Sequence, residues 1–494
     1  MKNRKYVLAL DCGTSSVRAI VFDLFGAPVS CVARSVKLDY PVPGYVEQSA
    51  EEIWTRQISA AYEAITSAGI SAGEIAAIGI TNQRETAIAW DKKTGQPLAP
   101  AIVWQCRRTA ERCARLAASP EMETVREKTG LVADPYFSAT KFEWMMENVP
   151  GLRARAERGE VAFGTVDSWL LYRLSGGRSF LTDLSNASRT MLCDIRAGAW
   201  DASLCSLFGI PESCLCEIRP SSGLFCETEP DLLGAPIPVC GVAGDQQSAL
   251  FGHACVDAGE LKNTYGTGGF LLMNTGARPK LDRKGGLLST VAWQRDGKIT
   301  YALEGSVFVC GAAIQWLRDG LAIIHSSPES EELARSVPDS GGVYLVPAFT
   351  GLGAPYWNSA ARGAILGITR GTERGHIARA ALEALAYQTA DVVREMERVT
   401  GESVRSLRVD GGAASNDLLM QIQADVLGVP VRRPAYAEIT ARGAAMLAAL
   451  GVGAISSPEE FLAGEKTTVF EPQIGDERRR EMLDGWHEAV RRVL

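Results

Sequence analysis

Each half of this chain begins with a short strand, a turn of glycine with Thr or Ser, and a second strand. Residues 6–10 run apolar into Asp11-Cys12-Gly13-Thr14-Ser15-Ser16, and residues 17–23 lead away. Near residue 260 the pattern returns: a strand over 260–264, a Gly266-Thr267-Gly268-Gly269 turn, and a returning strand over 270–274. Short apolar runs bounded by Gly, Thr and Ser read as hairpins. The repetition lies in pattern and not in sequence, and it suggests an internal duplication. Helical segments alternate with these strands, so the expected class is α/β.

The 494 residues suffice for more than one domain. The formal charge of −7, without a long basic run, argues against nucleic acid and anionic membrane as partners. Arg478-Arg479-Arg480 is flanked by Glu477 and Glu481 and reads as a solvated helix face. No apolar stretch approaches the ~20 residues of a membrane span. The apolar run after Met1-Lys2-Asn3-Arg4-Lys5 is stopped by Asp11, so no signal peptide is expected. The twelve cysteines contain no Cys-x-x-Cys, and Cys214-Leu215-Cys216 has no histidine nearby, which argues against zinc. A cytoplasmic enzyme with reduced thiols is expected.

Asn82-Gln83-Arg84-Glu85-Thr86 places amides, a guanidinium and a carboxylate between two apolar runs, 75–80 and 87–90. An adjacent Arg and Glu suit a hydroxylated ligand, because each hydroxyl can donate to the carboxylate and accept from the guanidinium. Neighbours in a regular strand point to opposite faces. Both side chains can reach one ligand only if the backbone bends there. The alternative is a surface hairpin with a solvated ion pair, which contributes little. Further along, Ser49-Ala50-Glu51-Glu52 is a capping box that opens a helix to about residue 67. Helices are also expected over 304–317 and 376–397. The small residues of 442–448 suggest a helix packed closely on a sheet.

Four small-residue loops stand at strand ends: 11–16, 244–246, 266–269 and 411–416. Glycine lets backbone N–H groups approach phosphate oxygens, and Thr or Ser adds a donor. None of the loops is a P-loop, and none is a convincing dinucleotide fingerprint. Taken singly, each is also an ordinary turn. A phosphoryl transferase needs positioned donors, a metal and a base for the acceptor hydroxyl. Asp11 could hold Mg²⁺, and Asp245 could accept the hydroxyl proton. Asp410 reads as a turn residue beside the 411–416 loop. Each of these Asp residues could equally be a helix cap. The four histidines do not pair at metal-ligand spacing.

Together the loops and the opening stretch resemble the FGGY carbohydrate kinases of the actin-like ATPase superfamily. The resemblance runs from Leu10 to about Gly451. It is carried by Asp11-Cys12-Gly13-Thr14-Ser15-Ser16, Asn82-Gln83-Arg84-Glu85-Thr86, Trp104-Gln105-Cys106-Arg107-Arg108, Asp134-Pro135-Tyr136, Ser188-Arg189-Thr190, Gly244-Asp245-Gln246-Gln247, Thr264-Tyr265-Gly266-Thr267-Gly268 and Val409-Asp410-Gly411-Gly412. The Asn-Gln-Arg-Glu-Thr and Trp-Gln-Cys-Arg-Arg segments resemble the members that act on glycerol. The resemblance implies two domains, 1–252 and 253–494, each with a ribonuclease-H-like core, and an active site in the cleft between them. It implies glycerol held by Arg84, Glu85, Tyr136, Asp245 and Gln246 against a wall of Trp104 and Phe270, with Asp245 as base. It implies ATP phosphates at Thr14, Ser15, Ser16, Arg18 and Thr267, the rest of the nucleotide at Gly311, Gln315, Gly412 and Asn416, and Mg²⁺ near Asp11. A homo-oligomer, dimer or tetramer, is the implied assembly.

The chain departs from the family pattern at Cys12, Val17 and Gly269, which lie beside the ligand positions. The 232–237 segment is short and lacks Arg, where some bacterial members bind fructose 1,6-bisphosphate on a longer loop. Residues 222–230 lack the phosphorylatable His of other members. Two other readings stay open from sequence: a family kinase for a different polyol or ketose, and a nucleotide-switched ATPase of the same superfamily.

Overall fold

Strand order shows why two hairpins at such distance resemble each other. The computed structural model describes residues 4–284, 286–358 and 360–494. In the first half, β1 (Tyr6–Cys12), β2 (Ser16–Asp23) and β3 (Pro28–Ser35) form an antiparallel meander. Helix α1 (Ala50–Ser67) follows, with the Ser49 side chain accepting from the Glu52 N–H as the capping signal implies. Strand β4 (Ile75–Asn82) then lies parallel to β1. After a long excursion come β5 (Ser222–Glu227) and β6 (Pro238–Gly244), with β6 parallel to β4. The sheet runs β5-β6-β4-β1-β2-β3.

Helix α2 (Asp245–Gly252) leads into the second half. There β7 (Leu261–Tyr265) and β8 (Gly269–Gly276) form the second hairpin, and β9 (Leu288–Arg295) and β10 (Lys298–Val307) extend it. Next are α3 (Gly311–Asp319) and the long α4 (Arg374–Thr400). Then come β11 (Leu407–Asp410), α5 (Asp417–Leu427), β12 (Val431–Pro434), α6 (Ile439–Gly451) and β13 (Thr467–Phe470). The second sheet runs β9-β10-β8-β7-β11-β12-β13, with β11 parallel to β7. From its hairpin outward, each sheet thus has an antiparallel side and a parallel side in the same order. The duplication suggested by pattern is real at the level of topology.

One expected element is wrong. The helix over 304–317 begins at Gly311, and Glu304 lies inside β10. The apolar run Tyr301-Ala302-Leu303 continues the strand, and short apolar runs do not reveal their period. That shift moves Glu304 from a helix start into a buried strand position beside Arg84 and Arg189.

Helix α6 comes from the second half but packs on the first sheet. A Cβ on Gly79 of β4 would collide with the Ala444 backbone, and one on Gly443 would collide with Ser248 of α2. Only glycine permits such approach. An apolar cluster of Val7, Ala9, Ala77, Leu250, Leu272, Trp293, Ala445 and Ala448 therefore runs continuously across the joint between the sheets. Of the twelve thiols, Cys31 alone is exposed and none is in a disulfide. Among the described residues no helix is long and apolar enough to cross a membrane.

Candidate active site

The bend expected at Asn82–Thr86 is present. Strand β4 ends at Asn82, and Glu85 has φ of +59°. A non-glycine residue in that region is strained and needs surroundings that hold it. The Ser138 hydroxyl and the Lys141 ammonium both donate to the Glu85 carbonyl, each at 3.1 Å. Lys141 is wholly buried, and burial pulls its pKa down to about 8. Because of the bend, Arg84 and Glu85 turn to the same side, with Nε of one 3.8 Å from Oε1 of the other. Both are at most 2% exposed, which excludes the solvated hairpin.

Their surroundings form a largely buried charged network that opens to solvent at Asp245. Arg84 Nη1 donates to Glu304 Oε2 at 2.5 Å and to Gln247 Oε1 at 3.3 Å. Its Nη2 donates to the Tyr136 hydroxyl at 3.0 Å, and its Nε lies 3.1 Å from Asp245 Oδ1. Arg189 donates to Glu85 at 2.7 Å and to Glu304 at 2.8 Å. Burial opposes ionisation of Glu304, but Arg189 and Arg84 outweigh it and hold the carboxyl down at about 2. Glu85 goes the other way: burial raises it, and Arg84 and Arg189 only partly offset that. The difference follows from geometry, since Glu304 takes a short contact from each guanidinium.

Asp245 opens α2 directly after β6, and its side chain is 31% exposed, the most open carboxylate of this network. Gln246 follows it, nearly buried, with its Oε1 accepting from Lys262 at 2.5 Å. Lys262 also donates to the Phe270 backbone carbonyl at 3.2 Å, which sets the Phe270 backbone beside Gln246. The Trp104 and Tyr136 rings meet edge to face at 5.5 Å. Contacts therefore link Arg84, Glu85, Tyr136, Trp104, Asp245 and Gln246, and the seventh residue expected at a polyol site, Phe270, adjoins them through its backbone.

The first turn, 13–15, sits next to them. Trp104 Nε1 donates to the Thr14 hydroxyl at 2.9 Å, so Thr14 is tied to the aromatic wall. Gly13 N–H donates to the Ser16 carbonyl, and Ser15 accepts from Val36 N–H through its own carbonyl, which closes the turn. Arg18 pairs with Asp11 at 3.5 Å and with Glu438 at 3.6 Å. Burial raises the Asp11 carboxyl to about 7, Glu438 and Asp245 add to this, and Arg18 opposes it.

Across the joint, Thr267, Gly311, Gln315, Gly412 and Asn416 line one cavity of about 450 Å³, together with Tyr265, Ile314 and Leu419. Gly411 has φ of +89°, and the Asn416 side chain caps α5 by accepting from Leu419 N–H. Asp410 is more than a turn residue. Its carboxylate lies 2.6 Å from His253 Nε2, a buried contact between β11 and the end of α2.

Around the site, Glu304, Arg189, Gln247, Lys262 and Glu438 have no role that the sequence assigns. Glu304 follows an apolar run that reads equally as strand or helix, and the Ser188-Arg189-Thr190 motif gives Arg189 no role by itself. Glu438 gave no local signal. Lys262 lies in a strand central to its sheet, where a buried charge is rare unless it is paired.

The model of the FGGY family of carbohydrate kinases, N-terminal domain, matches residues 6–252, and that of the C-terminal domain matches 261–452. Glycerol kinase 2 of Thermotoga maritima is 56% identical over 491 residues, covering 99% of both chains. Glycerol kinase of Carboxydothermus hydrogenoformans is 54% identical over 492 residues, 99% of this chain and 98% of that one. The crystal structure of Plasmodium falciparum glycerol kinase with ADP superposes with a TM-score of 0.93 at 35% identity, covering 99% of this chain and 98% of that one. Xylulose kinase from Lactobacillus acidophilus has a TM-score of 0.89 at 20% identity, covering 99% and 98%, and shares the fold. With family models matching both halves, this chain belongs to the FGGY family of carbohydrate kinases.

Proposed function

We propose that this chain transfers the γ-phosphoryl group of ATP to a terminal hydroxyl of glycerol, yielding sn-glycerol 3-phosphate. The observation that carries the reading is the Arg84–Glu85 bend, aimed at the same point as Asp245 and walled by Trp104 and Tyr136. A three-carbon polyol needs a small apolar wall and paired donors and acceptors for its hydroxyls. Relatives 54–56% identical over nearly the whole chain bear the name glycerol kinase. Residues 1–252 would bind the polyol and carry the first phosphate turn. Residues 253–494 would bind the nucleotide in the cavity of Thr267, Gly311, Gln315, Gly412 and Asn416.

Asp245 is the accessible carboxylate of the site and takes the proton from the attacking hydroxyl. As that O–H bond breaks, the oxygen forms a bond to the γ-phosphorus, and the bond from γ-phosphorus to the bridging oxygen breaks, releasing ADP. Arg84 and Glu85 orient the acceptor so that the reacting hydroxyl faces Asp245. Thr14, Ser15, Ser16, Arg18 and Thr267 supply donors for the phosphates.

Magnesium fits this arrangement. Asp11 is a buried carboxylate whose one paired cation among the described residues, Arg18, is shared with Glu438. Among the described residues no group of three metal-ligating side chains forms a protein cage. Mg²⁺ held by one carboxylate, waters and phosphates needs none. When bound there, the ion would neutralise phosphate charge.

The test is ADP release measured with glycerol, dihydroxyacetone, erythritol and xylulose at equal concentration. Glycerol should give the highest kcat/KM. A higher value for erythritol or xylulose would overturn the substrate assignment.

A further inference from the structure

We propose that Lys262 is a positioning residue: it decides which end of the Gln246 amide faces the substrate, so that the site presents an N–H donor there. The inference rests on the placement of Gln246 against glycerol proposed above.

An ammonium has donors only, and an amide has an acceptor end and a donor end of nearly equal shape. Lys262 Nζ lies 2.5 Å from Gln246 Oε1, 2.8 Å from Thr264 Oγ1 and 3.2 Å from the Phe270 carbonyl. Its three protons thus meet three acceptors. Turning the Gln246 amide over would set its NH₂ against the ammonium, donor against donor. Oε1 is therefore pinned on Lys262, and Nε2 points away from it. Among the described residues Nε2 has no hydrogen-bond partner, and it is not among the polar atoms sealed from solvent. Gln246 as a whole is only 8% exposed. The small accessible part of this residue thus includes its donor end.

The contact joins the halves, since Lys262 lies in β7 of the second sheet and Gln246 in the first turn of α2. Lys262 is wholly buried in a central strand, where an apolar side chain of similar length would avoid the desolvation cost of the charge. What the ammonium supplies and an apolar group cannot is the donor that fixes Oε1. The consequence is directional. A substrate hydroxyl facing Nε2 must accept there, so its own proton is left for a carboxylate.

The experiment compares Lys262→Met, Gln246→Ala and the double variant for glycerol KM and kcat, with thermal melts to confirm folding. Each single change should raise glycerol KM about 5- to 10-fold, the worth of one hydrogen bond, with a smaller change in kcat. The double variant should match Gln246→Ala alone, because Lys262 acts through Gln246. Fold-effects that multiply in the double variant, or an unchanged KM for Lys262→Met, would overturn the proposal. An unchanged KM for Gln246→Ala would instead remove Gln246 from the substrate site, and the role of Lys262 with it. Gln246→Glu serves if Lys262→Met does not fold. It keeps an acceptor for Lys262 but removes the NH₂, so KM should rise as for Gln246→Ala, and a parental KM would refute the idea.

Discussion

Arg84 Nη1 and Glu304 Oε2 lie 2.5 Å apart, and the two residues come from different halves of the chain. Arg84 follows a strand of the first sheet and Glu304 sits within a strand of the second. The proposed polyol end of the site is thus complete only when the two sheets are joined. Glu304→Ala would leave Arg84 and Arg189 buried with one short carboxylate contact fewer. Breaking a buried pair from one side costs about 3–5 kcal/mol. A fall of that size in urea stability, together with more than a tenfold loss in glycerol kcat/KM, is expected. An unchanged urea midpoint would show that Glu304 is not integral to the network.

Asp245→Asn should keep the fold and lose turnover. A positioned general base contributes roughly 10²–10⁴ in rate. The variant should show a loss in kcat of that order with ATP KM within a few-fold of the parent. Near-parental turnover would remove Asp245 as base.

Arg84→Ala should weaken glycerol binding more than ATP binding, because Arg84 touches Tyr136 and Asp245 whereas the nucleotide cavity is lined by other residues. Calorimetric titrations with each ligand decide this, and a larger loss for ATP would contradict the assignment.

Two neighbouring glycines should behave differently. A Cβ at Gly411 would meet the Tyr265 carbonyl at 2.5 Å on a backbone already at φ of +89°, so Gly411→Ala should destabilise the protein by more than about 1 kcal/mol. Gly412 has open space where its Cβ would be and lines the cavity. Gly412→Ala should leave the melting temperature in place and raise ATP KM. An unchanged ATP KM would mean that the nucleotide does not approach this backbone.

Lys262 carries a pH signature. Burial lowers its pKa from 10.5 to about 8. Below about pH 8 the residue is charged in both the folded and the unfolded chain, so its desolvation cost is fully present and constant. Between 8 and 10.5 the folded protein gives up the proton first and the unfolded chain binds more protons. Native stability from this residue therefore rises with pH across that window. Relative to Lys262→Met, the parent should gain on the order of 2 kcal/mol between pH 7.5 and 9.5. Chemical denaturation at the two pH values measures it, and a difference independent of pH would show that the lysine is not desolvated.

Much of this site was legible because its signals are local. The Arg84-Glu85 adjacency demanded a bend, and the bend is there at Glu85. Five of the expected nucleotide residues, Thr267, Gly311, Gln315, Gly412 and Asn416, met in one cavity because turns and helix starts that follow strands gather at one edge of an α/β sheet, whereas Thr14, Ser15, Ser16 and Arg18 do not line it. Glu304 was misplaced because the residues before it read equally as strand or helix. Asp410 looked like a turn residue because its partner, His253, lies far away in sequence.

By itself the sequence determined the paired hairpins, the small-residue turns between their strands and the bend that carries Arg84 and Glu85. Those features follow from side-chain period, glycine and hydroxyl content, and the opposite facing of neighbours along a strand. Tertiary structure alone decided which charges share a buried space. Glu304 meets Arg84 and Arg189, Lys262 meets Gln246, and Ser138 and Lys141 hold the strained Glu85 carbonyl. A charge can be buried only where an opposite charge or a donor set arrives from elsewhere in the chain. That meeting depends on how the two sheets dock, and no stretch of sequence records it.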